Sequence, residues 1–155
     1  MSVIDVIPWE REYYTQLLPL VRNEDREELA LLGGLYGYSW QQMLARSIAT
    51  SNYCKALKIE DMCHGVIGVR TYASEDYASI WFICSPIFRN YTKSFCVVAR
   101  NLITSISIEY PILINCVSEQ SLPLTSPFLL YCGFIIYKSP LYIGQSRWYP
   151  FIYSR

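Results

Sequence analysis

Apolar residues in the first third of the chain recur mostly at helical spacing. An apolar run over residues 3–9 first predicts a short strand that ends near Pro8. Three helices are predicted to follow, over residues 13–21, around 27–32, and from Ser39 through Ile48. Asn23 or Asp25 is the expected N-cap of the second helix, which ends at residues 33–34, both Gly.

The spacing changes in the middle of the chain to a pattern typical of strands. Residues 53–59 and 66–70 lie on either side of the polar turn 60–62, which predicts a β-hairpin. A polar connection over 71–77 leads to an apolar run over 78–84, which predicts a central strand buried on both faces.

The last third of the chain mixes the two patterns. The predicted elements are a helix over 93–108, a strand over 112–117, a short helix over 126–132, and strands over 134–137 and 148–153. This order of elements predicts an α/β fold, with a mixed central sheet of about six or seven strands and helices on both faces.

Composition fits one compact domain over residues 1–155. The chain is 52% hydrophobic and 17% charged, which is ample for a core and far from disorder. Its 13 basic and 13 acidic residues balance, and zero net charge argues against broad electrostatic binding of nucleic acid. Neutral charge with 14 Tyr favours a subunit of an assembly.

Cysteine and histidine usage predicts no metal site. The 6 cysteines form no CxxC pair and His64 is the only histidine, so zinc is not expected. No signal peptide opens the chain, so reduced thiols and synthesis in the cytoplasm are expected. The uncharged stretch 120–137 is interrupted by Pro and Gly, and it predicts a buried helix and strand rather than a membrane span.

Three segments, together with the order of elements, resemble the GNAT (N-acetyltransferase) fold. The hairpin KALKIEDMCHGVIGV is similar to that family's second and third strands. FLLYCGFIIY is similar to its helix-to-strand passage, in which a Gly ends the helix and a Phe begins the strand. WFICSPIFRNYTKSF takes the position of the cofactor strand and loop. The resemblance covers nearly the whole chain.

A narrower pattern consists of a Trp-bearing strand, a helix that ends before Tyr-Pro, and a late Gly-Phe pair. Here these are Trp81, Tyr110-Pro111 and Gly133-Phe134. The pattern resembles phage-encoded GNAT-like proteins, some of which are internal virion proteins of short-tailed phages. The resemblance implies a virion protein that is made in the host cytoplasm, with other virion proteins or copies of itself as partners.

The resemblance also identifies the residues at the family's cofactor loop. GNAT enzymes splay their fourth and fifth strands so that the acetyl-CoA amide lies between them, and the pyrophosphate binds a loop Arg/Gln-x-x-Gly-x-Gly/Ala at a helix N-terminus. Arg89 and Lys93 would lie near an anion, but Thr92 replaces the first Gly and Ser94 the small residue. Thr92 is equally an ordinary N-cap, which favours a cofactor-free chain; acetyl-CoA is expected only if the chain is active.

Catalytic residues of the family are missing at the matching positions. The general acid is a Tyr four residues before the Gly of Gly-Phe, where this chain has Leu129. Tyr131 is the only nearby hydroxyl, and a shift of two residues on a helix turns it by about 200°. No carboxylate lies on the strand 78–84, and the strand 112–117 offers only Asn115 as a polar side chain for a base.

Other ionisable residues near these strands are interpreted as loop or solvated residues. Glu75 and Asp76 precede a strand and are interpreted as loop residues. His64 lies beside the hairpin turn and is interpreted as a solvated surface residue. Together these departures favour a domain that keeps the fold and works through contacts, as a virion structural or assembly component, with an acetyl-CoA-dependent N-acetyltransferase as the alternative.

The C-terminal segment is the predicted contact surface. It is rich in aromatic rings and poor in charge, the composition of interface cores. The predicted interface residues are Tyr137, Tyr142, Trp148, Tyr149, Phe151 and Tyr153.

Overall fold

A computed structural model describes residues 3–72 and 76–155. The α-helices are α1 (Glu12–Leu17), α2 (Asn23–Gly34), α3 (Trp40–Thr50), α4 (Thr92–Glu109) and α5 (Leu122–Tyr131). The strands are β1 (Asp5–Pro8), β2 (Tyr53–Ile59), β3 (Met62–Thr71), β4 (Tyr77–Cys84), β5 (Ile112–Ser118), β6 (Ile135–Ile136), β7 (Leu141–Ile143) and β8 (Ser146–Ser154). Two 3₁₀ helices cover Leu18–Leu20 and Pro86–Tyr91.

The strands form one mixed sheet, which confirms the predicted fold class. The sheet has 8 strands in the order β1-β2-β3-β4-β5-β8-β6, with β7 also paired to β8. β1, β2 and β3 are antiparallel neighbours, whereas β4 and β5 are parallel. The strand that the sequence missed is β7, whose 3 residues are too few to show an alternation.

The chain divides into two compact units. Unit 1 contains residues 1–70 and 81–95, and unit 2 contains residues 71–80 and 96–155. The single domain expected over residues 1–155 stays a prediction. The polar connection predicted over 71–77 lies partly outside the described residues, and so does the loop position predicted for Glu75.

Local signals in unit 1 fold as predicted at two places. Glu60 and Asp61 both have positive φ (50° and 64°), the conformation that a tight two-residue hairpin turn requires. Ser39 caps α3 in a reciprocal capping box, since its Oγ accepts from the Gln42 N–H and its own N–H donates to Gln42 Oε1.

The core of unit 1 collects apolar side chains from its helices and strands. Its buried members include Leu17, Leu29, Leu44, Val66 and Ile83. Trp81 packs against this cluster from β4, and its indole N–H donates to Ser51 Oγ at 2.9 Å. Gly68 on β3 makes room for that ring, because a Cβ there would lie 2.2 Å from the indole.

Unit 2 is organised around β8. β8 pairs along its length with β5, from Ile112↔Ser154 to Ser118↔Trp148. On its other side β8 pairs with β6 near Ile152 and with β7 near Arg147. Gly133, with φ of +96°, turns the chain from α5 towards β6 and places Phe134 in the core.

Two boundaries differ from the sequence predictions. Neither Asn23 nor Asp25 caps α2, because the helix begins at Asn23 with Arg22 as an N-cap that makes no side-chain cap bond. α5 begins at Leu122, earlier than predicted, since Pro123 sits in the first turn, where its missing N–H costs nothing. No helix in the described residues is long and apolar enough to cross a membrane.

Candidate functional site

The parallel ladder between β4 and β5 is short. It covers Tyr77–Ser79 on β4 and Ile112–Ile114 on β5. At the next residue of β4, the carbonyl of Ile80 accepts from the side-chain amide of Asn115. Asn115, the residue considered for a catalytic base, therefore acts as a hydrogen-bond donor to backbone where the ladder ends.

Residues at the start of α2 satisfy the backbone hydrogen-bonding groups at the end of β4, within unit 1. The Arg22 N–H donates to the carbonyl of Cys84 at 3.0 Å, and the Cys84 N–H donates to Asp25 Oδ2 at 3.0 Å. The next residue, Ser85, donates its N–H to the His64 carbonyl on β3. The backbone N–H and C=O groups of successive strand residues point to opposite edges of the strand. Since Ser85 bonds to β3, the Cys84 groups that bond to Arg22 and Asp25 face away from β3.

Arg22 and Asp25 form an ion pair at this position. Arg22 Nε lies 2.9 Å from Asp25 Oδ2, and the Asp25 side chain is only 6% exposed. Burial raises the pKa of Asp25, while the Arg22 charge and the Cys84 N–H oppose that shift. A buried carboxylate with these two partners fixes α2 to the end of β4.

The connection from β4 to α4 is helical throughout. Ser85 caps it, with its Oγ accepting from the Ile87 N–H at 3.3 Å, and the 3₁₀ helix Pro86–Tyr91 leads directly into α4. Thr92 has helical backbone angles and donates its hydroxyl to the Arg89 carbonyl at 3.0 Å. The predicted N-cap role of Thr92 is therefore wrong, because the helical run begins six residues earlier, at Pro86.

The predicted cofactor-binding residues do not form an anion cradle. Arg89 donates its Nη2 to Glu24 Oε1 at 2.6 Å and so reaches α2. Thr92 and Lys93 are exposed and Ser94 is half-buried, all on the first turn of α4. In a continuous helical run the backbone N–H groups bond to carbonyls of the preceding turn, so they do not point at a phosphate. The residues at this position do not fit the pyrophosphate of acetyl-CoA.

The α5 helix presents its two candidate acid positions to opposite sides. Leu129 is 3% exposed and belongs to the core, whereas Tyr131 is 43% exposed. The guanidinium of Arg100 lies 5.3 Å from the centre of the Tyr131 ring. Tyr131 thus faces outward on α5, as the two-residue shift predicts.

His64 is half-buried and contacts Ser85, whereas the sequence suggested a fully solvated side chain. It lies on β3, and its Nδ1 is 3.0 Å from Ser85 Oγ. Burial lowers the pKa of His64, which favours the neutral ring in this contact. Ser85 is itself buried, so the pair anchors the start of the helical connection.

The thiols behave as small apolar groups. All six cysteines are free. Burial raises the pKa of Cys84 and of Cys132 to about 12, so both thiols stay protonated at neutral pH. Within the described residues no cluster of His, Cys, Asp or Glu could hold a metal ion.

The predicted contact residues divide into buried and exposed groups. Trp148 and Phe151 are 2% and 9% exposed, and the Tyr153 ring packs on Phe134 at 5.8 Å. Trp148 and Phe151 belong to the core of unit 2, which corrects the predicted interface at these two positions, whereas Tyr153 is half-buried. Tyr137 and Tyr142 are 50% and 65% exposed, and Tyr149 is half-buried. Only the exposed pair is fully available to a partner.

Sequence reasoning missed the residues that occupy the end of β4. Asp25 was considered only as an N-cap and Arg22 and Glu24 were not singled out, yet Arg22 and Asp25 bond to β4 and Glu24 bonds to Arg89. The one local signal was the Arg22–Asp25 spacing of three, which places both side chains on one face of a helix.

Comparison with known proteins gives structural matches but no sequence match. No protein-family model and no curated protein sequence matches the chain. An acetyltransferase of the GNAT family from Bacillus anthracis superposes with a TM-score of 0.68 at 10% identity, covering 99% of this chain and 94% of that one. A GCN5-related N-acetyltransferase from Kribbella flavida gives 0.67 at 14% identity, with 99% and 98% covered. The chain has the GNAT fold.

A third GNAT structure contains a ligand. The GNAT family acetyltransferase from Elizabethkingia anophelis, with acetyl-CoA bound, matches with a TM-score of 0.60 at 12% identity over 100% of both chains. At such identities the likeness establishes the fold alone. The GNAT fold expected from the hairpin and the Gly-Phe passage is therefore confirmed, and activity has to be argued from this chain's own residues.

Proposed function

We propose that this GNAT-fold chain is a non-catalytic structural or assembly component of a bacteriophage virion. The observation that carries the non-catalytic part is the helical connection Pro86–Tyr91, which replaces the phosphate-binding loop. It is supported by Leu129, a buried apolar side chain at the position where the resemblance expects the family's acid.

The edge of β4 supports the same proposal. Acetyl-CoA lies between the fourth and fifth strands of GNAT enzymes. In this chain the Cys84 backbone at one end of β4 is bonded to Arg22 and Asp25. The Ile80 carbonyl is bonded to Asn115. Within unit 1, a ligand bonded to the Cys84 backbone would have to replace its bonds to Arg22 and Asp25.

Calorimetry with acetyl-CoA tests the non-catalytic part. We expect no binding at micromolar concentrations of purified protein and cofactor. A micromolar dissociation constant would overturn this part of the proposal, whatever the biological context of the chain.

The virion part rests on the sequence pattern of Trp81, Tyr110-Pro111 and Gly133-Phe134 and on the exposed aromatic surface of unit 2. Protein composition of purified phage particles whose genome encodes this chain is the test. We expect the chain in constant proportion to other structural proteins. Its absence from washed particles would refute a virion role.

The contact surface has its own test. Tyr137→Ser with Tyr142→Ser removes two exposed rings and should reduce incorporation into particles while the isolated protein still folds. Tyr36→Ser is a matched control, because Tyr36 is 66% exposed but lies in unit 1. Equal incorporation of the double variant and the control would contradict the assignment.

An acetyl-CoA-dependent N-acetyltransferase is the second candidate, favoured by the acetyltransferase names of the structural neighbours. In that case Tyr131 is the available hydroxyl for the acid. Release of free thiol from acetyl-CoA with a panel of amines measures the activity. An unchanged rate in Tyr131→Phe would remove that residue from the reaction.

A further inference from the structure

An open cleft of about 400 Å³ lies in unit 1 between the start of α2 and the helical turn after β4. Its lining includes three arginines, Arg22, Arg26 and Arg89, and one acidic residue, Glu24. Pro19, Leu20 and Pro86 add apolar walls. The cleft therefore combines an excess of positive charge with surface for a carbon skeleton.

Arg26 supplies a fixed positive charge. Its Nε donates to the Val21 carbonyl at 2.8 Å and its Nη2 to the Pro19 carbonyl at 3.1 Å. The guanidinium also lies 4.9 Å from the centre of the Trp40 ring. Carbonyls hold the group in place without neutralising it, and across residues 3–72 and 76–155 no carboxylate pairs with Arg26. A guanidinium held in this way is preorganised for an anion.

The other two arginines differ in how firmly their carboxylates hold them. Arg22 is paired with the buried Asp25 and is neutralised locally. Arg89 pairs with Glu24, but their side chains are 58% and 27% exposed. An exposed ion pair is weak because water screens both charges, so an incoming anion can displace Glu24 from Arg89.

We propose that this cleft binds a small molecule bearing a carboxylate, with Arg26 and Arg89 on the carboxylate and the apolar walls on its carbon skeleton. The chain's own carboxylates already occupy Arg22 and Arg89, which indicates the chemistry that these guanidinium groups accept. The proposal goes beyond the proposed function, since the site lies on the α2 side of Arg89 and needs no phosphate-binding loop.

Amide resonances of the whole chain, followed by NMR during titration with succinate, test the proposal. We expect shifts at residues 22–26 and 86–89. Glu24→Gln should tighten binding by about fivefold, because it frees Arg89 from its internal competitor. Arg89→Gln, at an exposed site, should weaken binding about fivefold or more while leaving the fold intact. No tightening in Glu24→Gln overturns the proposal.

The exposed pair Glu119–Arg147 in unit 2 provides a matched control. Glu119 Oε1 lies 3.6 Å from Arg147 Nη1, and the side chains are 54% (Glu119) and 51% (Arg147) exposed. Glu119→Gln frees an arginine outside the cleft and should leave succinate affinity unchanged. An equal gain in Glu119→Gln would mean that any freed arginine binds anions, which also overturns the proposal.

Two further ligands separate the alternatives. Inorganic phosphate binding more tightly than succinate at the same residues would overturn the carboxylate assignment. Coenzyme A binding there would overturn it as well and would count against the cofactor-free function. Failure of succinate with no binding of coenzyme A would remove this proposal alone and leave the proposed function standing.

Discussion

The α5–β6 and β4–α4 connections both resemble the GNAT family in sequence, and they differ in backbone conformation. At α5–β6, Gly133 has the positive φ that ends the helix, and Phe134 is buried beside Phe151 at 5.0 Å. At β4–α4, the connection is a 3₁₀ helix that leads into α4, and Arg89 pairs with Glu24. The first connection has the glycine turn that the resemblance predicts, and the second is helical from Pro86 onward.

The difference separates residues that shape a fold from residues that carry its chemistry. Gly133 and Phe134 satisfy the packing of unit 2 whether or not a substrate exists. Leu129, at the position where the resemblance expects the family's acid, is almost fully buried and packs in the core. Packing alone accounts for these residues, so the fold by itself does not specify a chemistry.

Breaking the attachment of α2 to β4 should have the largest effect. Asp25→Ala leaves the Cys84 N–H without its acceptor and Arg22 without its counter-ion. We expect a loss of about 3 kcal/mol in the free energy of unfolding, measured in urea. Glu24→Ala is the control, because its ion pair is exposed and should contribute less than about 1 kcal/mol. Equal losses would mean that Asp25 has no special role.

The α5–β6 connection is tested by Gly133→Ala. An L side chain at φ of +96° is strained, and its Cβ would lie 3.3 Å from the Tyr153 ring. We expect destabilisation by about 2 kcal/mol in thermal unfolding. Gly34→Ala, at a helical site with nothing within 4 Å, should be neutral or slightly stabilising. A neutral Gly133→Ala would contradict the argument that backbone geometry retained this residue.

The β4–α4 connection is tested by restoring the small residues that the GNAT loop carries. Thr92→Gly with Ser94→Gly places glycine in the first turn of α4, and we expect about 1 kcal/mol of destabilisation. Acetyl-CoA should still not bind in calorimetry, because the helical run begins at Pro86. Micromolar binding by the double variant would show that the two side chains alone had blocked the site.

The smallest expected effect is a change in the free energy of unfolding with pH. Because the pKa of His64 is lowered in the fold, the unfolded chain binds more protons at mildly acidic pH. Stability should therefore fall as pH drops below about 6.5, the ordinary value, and level off below the folded pKa. The effect should be small because the ring is partly exposed. His64→Gln should flatten this part of the urea-unfolding profile, and an unchanged slope would exclude His64 as its source.

The elements set by local signals were predictable from the sequence. The turn at Glu60-Asp61 follows from polar residues between two apolar runs, and the start of α3 follows from Ser39 before an apolar helical pattern. Gly133 marked the end of α5 because glycine readily adopts positive φ. These features depend on neighbouring residues, so a single sequence contains them.

The candidate site depends on contacts between distant residues, and these were not predictable. Asp25 and Cys84 are 59 positions apart, and Glu24 and Arg89 are 65 apart. Thr92 fits an N-cap by its residue type, but the 3₁₀ turn before it removes the free N–H groups that a cap would satisfy. Aromatic content likewise marked Trp148 for an interface, whereas the fold uses it in the core.

The sheet edge formed by β6 and β7, the short strands that pair with β8, limits how unit 2 can associate. β6 and β7 are 2 and 3 residues long, and Lys138 and Pro140 lie in the break between them. Short strands, lysine and proline at an edge all oppose the addition of another strand. Open-ended, fibril-like aggregation along this edge is thereby disfavoured, even though Ile135 and Tyr142 lie exposed beside it. Any partner that binds here has to recognise side chains rather than extend the sheet.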